Sequence, residues 1–168
     1  EPFKYVAPVA GALGYSVDDT ALAIGLMANS GIKATQAGTA LRSIFTRLST
    51  DAGASSQSLG ALGVLTEKLG VEFYNLADGS ARDLKDIINE SRVAWAGLSE
   101  EEQISYAKTI AGQEAMSGWL ALMNAAPEDV EKLTAALEDC NGAAQEMAAT
   151  MVDNLQGDLT LLGSAFES

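Results

Sequence analysis

The sequence contains no histidine and a single cysteine, Cys140, among its 168 residues. The lack of histidine excludes Ser-His and Cys-His catalytic pairs and histidine metal sites. One cysteine cannot form an intrachain disulfide or a zinc site built on cysteines. Cys140 falls on the apolar side of a predicted helix, so we interpret it as a packing residue. Catalysis would need a pair of carboxylates or an isolated Ser, Lys or Tyr.

Basic residues are also scarce, with 10 Lys and Arg against 23 Asp and Glu and a net charge of -13. A chain this acidic is repelled by nucleic-acid backbones and anionic membrane surfaces, so we expect no direct nucleic-acid binding. No apolar run reaches the length of about 18 residues that marks a membrane span. The 48% of apolar residues is enough for a core of ordinary size. The start at Glu1, without an initiator Met or a signal pattern, indicates a fragment of a longer protein.

Helical periodicity dominates residues 1–126, which we predict to form a helical globular domain. Ser16, followed three residues later by Asp19, predicts a helix start, and Gly31 a left-handed helix end. We predict a shorter first helix over residues 3–13, with Pro8 near its start and Gly14 after it. The helix predicted after Gly31 has its apolar residues on one face, namely Ala37, Ala40, Leu41, Ile44, Phe45 and Leu48.

Further helices are predicted after a small polar loop at residues 50–56. The first carries Leu59, Leu62, Leu65 and Leu69; the next carries Leu84, Ile87, Ile88, Ser91 and Trp95. Ser99 and Glu102 form a capping-box pattern ahead of a helix through Ile104, Ala107 and Ile110. The last of these predicted helices has five apolar residues on a single face, namely Ala115, Met116, Trp119, Leu120 and Met123. Between these helices, residues 71–74 alternate like a strand and Asp78-Gly79 predicts a turn, so we expect a small two-stranded β-ribbon near residues 71–82.

Beyond Pro127 the apolar residues are spaced by three and four, as in a coiled coil. Residues 127–168 are therefore predicted to form one long acidic amphipathic helix, and the fold class is all-α. We expect this helix to self-associate through an interaction seam of Leu133, Leu137, Met147, Met151, Leu155, Leu159, Leu162 and Phe166.

Three acidic clusters, at residues 18–19, 100–102 and 128–131, could suggest metal or acid-base chemistry. All three fall where helices are predicted to begin, and the helix dipole stabilises negative side chains there by about 0.3 to 1 kcal/mol each. None has the spacing of a calcium loop, and the glycines form no phosphate-binding motif. We therefore predict no catalytic, cofactor-binding or metal-binding residues, and no cofactor.

Several segments resemble the core region of phage tail tape-measure proteins. The likeness begins at residues 31–42, Gly-Ile-Lys-Ala-Thr-Gln-Ala-Gly-Thr-Ala-Leu-Arg, and continues through residues 69–84, 98–99 and 114–122. It extends to residues 141–157, so that it spans nearly the whole chain. One departure is Ala111-Gly112, where the family pattern has an aromatic residue before the glycine.

The resemblance implies a structural, non-enzymatic role in the phage virion. Proteins of this family fill the tail tube during assembly, set tail length and leave ahead of the DNA. The partners implied are tail tube and tail assembly proteins, and the location is the lumen of the tail tube, after the host cytoplasm during assembly. Two alternatives stay open: a peptidoglycan-active enzyme segment, which would need two carboxyl groups about 5 to 9 Å apart, and a generic helical adaptor domain.

Overall fold

The computed structural model describes residues 3–51 and 54–139, and this part of the chain is all-α. Helices account for 69% of these residues. The chain divides into two units, Glu1–Val130 and Glu131–Ser168. Only residues 131–139 of the second unit are described, and they are helical.

The helices follow one another with short connections. They are α1 (Phe3–Ala12), α2 (Val17–Asn29), α3 (Ala34–Thr50), α4 (Ala61–Gly63), α5 (Leu84–Trp95), α6 (Glu100–Ala111) and α7 (Met116–Met123). A π-helical turn, Val64–Lys68, continues α4 directly. Residues 127–139 are also helical, so the helix predicted after Pro127 begins as expected.

The predicted helix caps are confirmed. At the start of α2 the Asp19 backbone N–H donates to Ser16 Oγ (3.1 Å) and the Ser16 N–H donates to Asp19 Oδ2 (2.9 Å). Ser99 and Glu102 form the same reciprocal pair at the start of α6. After α2, Gly31 has the positive φ of 87° that a left-handed helix end needs and that glycine adopts without strain.

Helix α3 is the centre of the first unit and contacts α1, α2, α4, α6 and α7. Every residue of its predicted apolar face is buried, from Ala37 at 0% exposure to Ala40 at 8%. This apolar face contacts helices on more than one side because α3 lies between the α1–α2 pair and the α6–α7 pair. The prediction for α5 is confirmed in the same way: its five face residues are buried, and the Trp95 ring meets the Trp119 ring edge to face at 5.9 Å.

Two predictions need correction, one about the place of Pro8 and one about the buried face of α7. Pro8 lies inside α1 rather than near its start, so one intrahelical hydrogen bond is missing there. The helix predicted through Ile104, Ala107 and Ile110 is confirmed as α6, which buries Ala107 and Ile110 and leaves Ile104 56% exposed. Met116 and Leu120 are half-buried, while α7 instead buries Gly118, Ala121 and Leu122. Helix α7 contacts α2, α3, α5 and α6, so a single-face pattern does not describe it.

The predicted ribbon is reduced to one isolated antiparallel bridge between Tyr74 and Ala81, and no strand occurs in residues 3–51 and 54–139. The turn is nevertheless hydrogen-bonded, with the Asn75 N–H donating to the Ser80 carbonyl (2.7 Å). The alternation reflects burial, since Val71 and Phe73 are buried while Glu72 between them is exposed. The paired segments are too short to form a stable ladder.

Candidate functional site

The predicted interaction seam is only partly described. Leu133 and Leu137 lie in the helical residues 127–139, and both are half-buried. The other six seam residues lie outside the described part of the chain: Met147, Met151, Leu155, Leu159, Leu162 and Phe166. Self-association through the seam, and the predicted domains 1–126 and 127–168, therefore remain predictions.

The acidic clusters of the first unit lie at helix starts, as predicted. Asp18 and Asp19 occupy the first turn of α2, and residues 100–102 the first turn of α6. Hydrogen bonds from the backbone and side chain of Ser99 lower the pKa of Glu102. Within residues 3–51 and 54–139, no three carboxylate or cysteine side chains come together as a group that could hold a metal ion.

An ion pair within the described residues joins the 71–82 turn to α5. Arg82 makes two hydrogen bonds to the Glu90 carboxylate, Nη2 to Oε1 at 2.6 Å and Nη1 to Oε2 at 3.0 Å. The same Nη1 donates to the Glu72 carbonyl at 2.9 Å. These contacts lower the pKa of Glu90. Because Arg82, the Glu90 carboxylate and the Glu72 carbonyl bond to one another, we interpret this ion pair as structural.

A polar groove runs along α3 beside the corner that joins α6 to α7. One part is a cavity of about 490 Å³, and its polar lining consists of Thr35, Gln36, Thr39, Arg42, Ser43, Glu114 and Ser117. The other part, about 510 Å³, lies between Arg47 and the backbone of residues 111–114. Ser43 and Glu114 line both cavities, so the two parts adjoin.

Hydrogen bonds from α3 fix the corner that forms one wall of this α3 groove. Ser43 Oγ donates to the Ala111 carbonyl (2.9 Å), and Arg47 Nε donates to the Thr109 carbonyl (3.1 Å). These two donors satisfy carbonyls that the C-terminus of α6 leaves without intrahelical partners. Ala111 itself is fully buried. The corner at Ala111-Gly112, where the sequence departs from the family pattern, is therefore packed without an aromatic residue, and the Arg47 side chain lies against Gly112.

The floor of the groove is a close crossing of α7 over α3. A Cβ on Gly118 would lie 2.8 Å from the Ala40 Cβ and 3.3 Å from Met27 Sδ. Only a glycine permits this approach, because carbon atoms in contact are normally about 3.5 to 4.0 Å apart. The crossing holds the start of α7 against α3 and so sets the width of the groove.

The α3 groove carries positive charge in an acidic chain. Residues 20–50 contain no Asp or Glu but include Lys33, Arg42 and Arg47. Arg42 is exposed at the groove and forms no ion pair within the described residues. The apolar periodicity of α3 describes only its buried face, so it did not predict this surface. The acid-free run of 31 residues in a chain of charge -13 was the available signal.

These features define an all-α unit with a polar groove along α3, and its described residues contain no carboxylate or cysteine group that could hold a metal ion. The sequence profile of the phage-related minor tail proteins matches residues 1–112, and the chain belongs to this family. No helix in residues 3–51 or 54–139 has the length and apolar character needed to cross a membrane.

Two curated relatives align with the whole chain. The tape measure protein of Pneumococcus phage Dp-1 is 44% identical over 168 residues, which are 100% of this chain and 14% of that protein. The probable tape measure protein of Escherichia phage P2 is 34% identical over 171 residues, again 100% of this chain and 20% of the relative. The chain thus spans a small part of each relative. No solved structure matches it significantly. The resemblance predicted from the sequence is confirmed.

Proposed function

We propose that this chain is a structural segment of a phage tail tape-measure protein and acts in tail assembly and in setting tail length. The observation that carries the proposal is alignment over the full chain with two such proteins, at 44% and 34% identity. Membership of the minor tail protein family supports the same role. By extension, the parent protein takes part in DNA ejection when it leaves the tail.

The fold suits a structural role. The described residues form helices whose polar groups are used for caps and corners, as in the Ser16 and Ser99 capping boxes. The proposed partners are tail tube and tail assembly proteins, with self-association through the predicted seam. The proposed location is the lumen of the tail tube, after assembly in the host cytoplasm.

An enzymatic role has weaker support. Carboxylates with resolved pKa shifts, such as Glu90 and Glu102, have lowered values caused by hydrogen bonds from Arg82 and Ser99. A general acid needs the opposite shift, a pKa raised by apolar surroundings. We propose that the segment has no catalytic activity of its own, because the relatives that align with the whole chain are named tape measure proteins.

The proposal is tested by locating the segment in virions. An antibody raised against the purified 168-residue chain is used to probe intact phage, isolated tails and phage that have ejected their DNA. We expect the parent protein in intact phage and isolated tails, and its loss after ejection. A parent protein found only in infected-cell extract and absent from tails would contradict the structural role and favour a cellular adaptor.

A further inference from the structure

The α3 groove has a charge opposite to that of the chain around it. Arg42 lies exposed in the groove without an ion pair, and Arg47 uses Nε to hold the α6 corner. A single acidic residue, Glu114, lines both of its cavities. A guanidinium left free beside a cavity is well suited to bind a carboxylate through paired hydrogen bonds.

Other polar side chains in the groove also lack partners. The side chains of Thr35, Gln36 and Ser117 line the part near Arg42 and make no hydrogen bond within the described residues. Thr39 and Ser43, in contrast, donate to the backbone carbonyls of Thr35 and Ala111. The groove therefore offers the free guanidinium of Arg42, the guanidinium of Arg47 that is bonded through Nε, and several neutral polar side chains.

The size and charge of the groove indicate what kind of ligand fits. Two adjoining cavities of about 490 and 510 Å³ exceed what one small anion would fill. A nucleic acid is disfavoured because its closely spaced phosphates would be repelled by Glu114 in the groove and by the net charge of -13 on the chain. A peptide with a few separated carboxylates avoids this repulsion, since charges beyond about 8 Å are screened at physiological salt.

We propose that the α3 groove is a docking site for an acidic polypeptide segment of another protein, with Arg42 pairing one of its carboxylates. The proposal rests on the charge and shape of the groove and does not depend on the role in the tail. The site is distinct from the predicted seam, which is apolar and lies in residues 133–166.

Binding is tested with two labelled helical peptides, one carrying glutamates along one face and the other with glutamine at the same positions. Fluorescence anisotropy with the 168-residue chain should show binding of the glutamate peptide and little binding of its glutamine counterpart. Arg42→Gln should weaken binding about fivefold, the effect of losing one partly exposed ion pair. Glu114→Gln should strengthen it, because a like charge is removed.

Lys4→Gln is the matched control. It removes the same charge from an exposed residue on α1 that does not line the groove, so affinity should stay within about twofold of wild type. Circular dichroism of each variant checks that the fold is kept. Arg42→Lys should restore only part of the affinity, because lysine lacks the planar fork of donors.

Three outcomes would overturn the proposal. Equal binding of the two peptides would show that carboxylates are not recognised. Equal losses in Arg42→Gln and Lys4→Gln would reduce the effect to net charge. Concentration-dependent self-association that Arg42→Gln abolishes would make a second copy, rather than another protein, the occupant. None of these results bears on whether the parent protein is found in tails.

Discussion

The contact between Gly118 and Ala40 makes a quantitative prediction about stability. Replacing Gly118 by alanine places a Cβ 2.8 Å from the Ala40 Cβ and 3.3 Å from Met27 Sδ. Forcing α7 away from α3 should cost about 1 to 3 kcal/mol, as overpacking does elsewhere. The higher helix propensity of alanine offsets up to about 1 kcal/mol of this. We expect a net loss of about 1 kcal/mol, and a larger one for Gly118→Val.

Urea unfolding of the 168-residue chain, followed by far-UV circular dichroism, measures this loss as a lower midpoint at unchanged slope. Gly11→Ala is the matched control. Gly11 also lies in a helix, α1, but a Cβ there would meet nothing within 4 Å. This control should be stabilised by about 0.5 to 1 kcal/mol because only the propensity changes.

A double variant separates the contact from other effects. Ala40→Gly in the Gly118→Ala background removes the clashing atom, so the two substitutions together should cost less than the sum of their separate effects. The reasoning would be refuted if Gly118→Ala were as stable as wild type or gained stability like Gly11→Ala.

Three further predictions concern the Tyr15 phenol, the Ser99 cap and the predicted seam. Burial raises the pKa of the Tyr15 phenol above its ordinary value of 10.0. Because the unfolded chain loses this proton at a lower pH than the folded chain, stability should fall as pH rises above about 10. Urea titrations at increasing pH should show a weaker fall in Tyr15→Phe. Ser99→Ala should cost about 1 kcal/mol in the same assay through loss of the α6 cap, whereas Ser117→Ala, which breaks no hydrogen bond in the described residues, should be near neutral. Replacing Met151 and Leu155 by Glu should lower the association state in analytical ultracentrifugation; a wild-type monomer at high concentration would contradict self-association.

Features set by local interactions were predictable from the sequence. The Ser16 and Ser99 caps depend on residues three positions apart, and the α3 stripe on a 3.6-residue period, so both could be identified along the chain. Gly31 was predictable because a left-handed helix end favours glycine.

Features that depend on distant contacts were missed or misplaced. The exposure of Ile104 follows from how much of α6 is covered, which its own periodicity does not encode. The groove arises because Ser43 and Arg47 bond to the end of α6, more than sixty residues away in the chain. The alternation at Val71 and Phe73 reflects burial without a partner strand of useful length.

The most direct test of the proposed role is tail length in phage that carry an in-frame deletion of residues 142–159 in the parent gene. If these residues form part of a helical ruler, tails measured by electron microscopy should be shorter by roughly 27 Å, at about 1.5 Å per residue. A deletion of residues 37–54 is the control; it removes most of the buried α3 and should block assembly or leave length unchanged rather than shorten the tail in proportion. Tails of normal length from the 142–159 deletion would contradict the claim that this segment helps to set tail length.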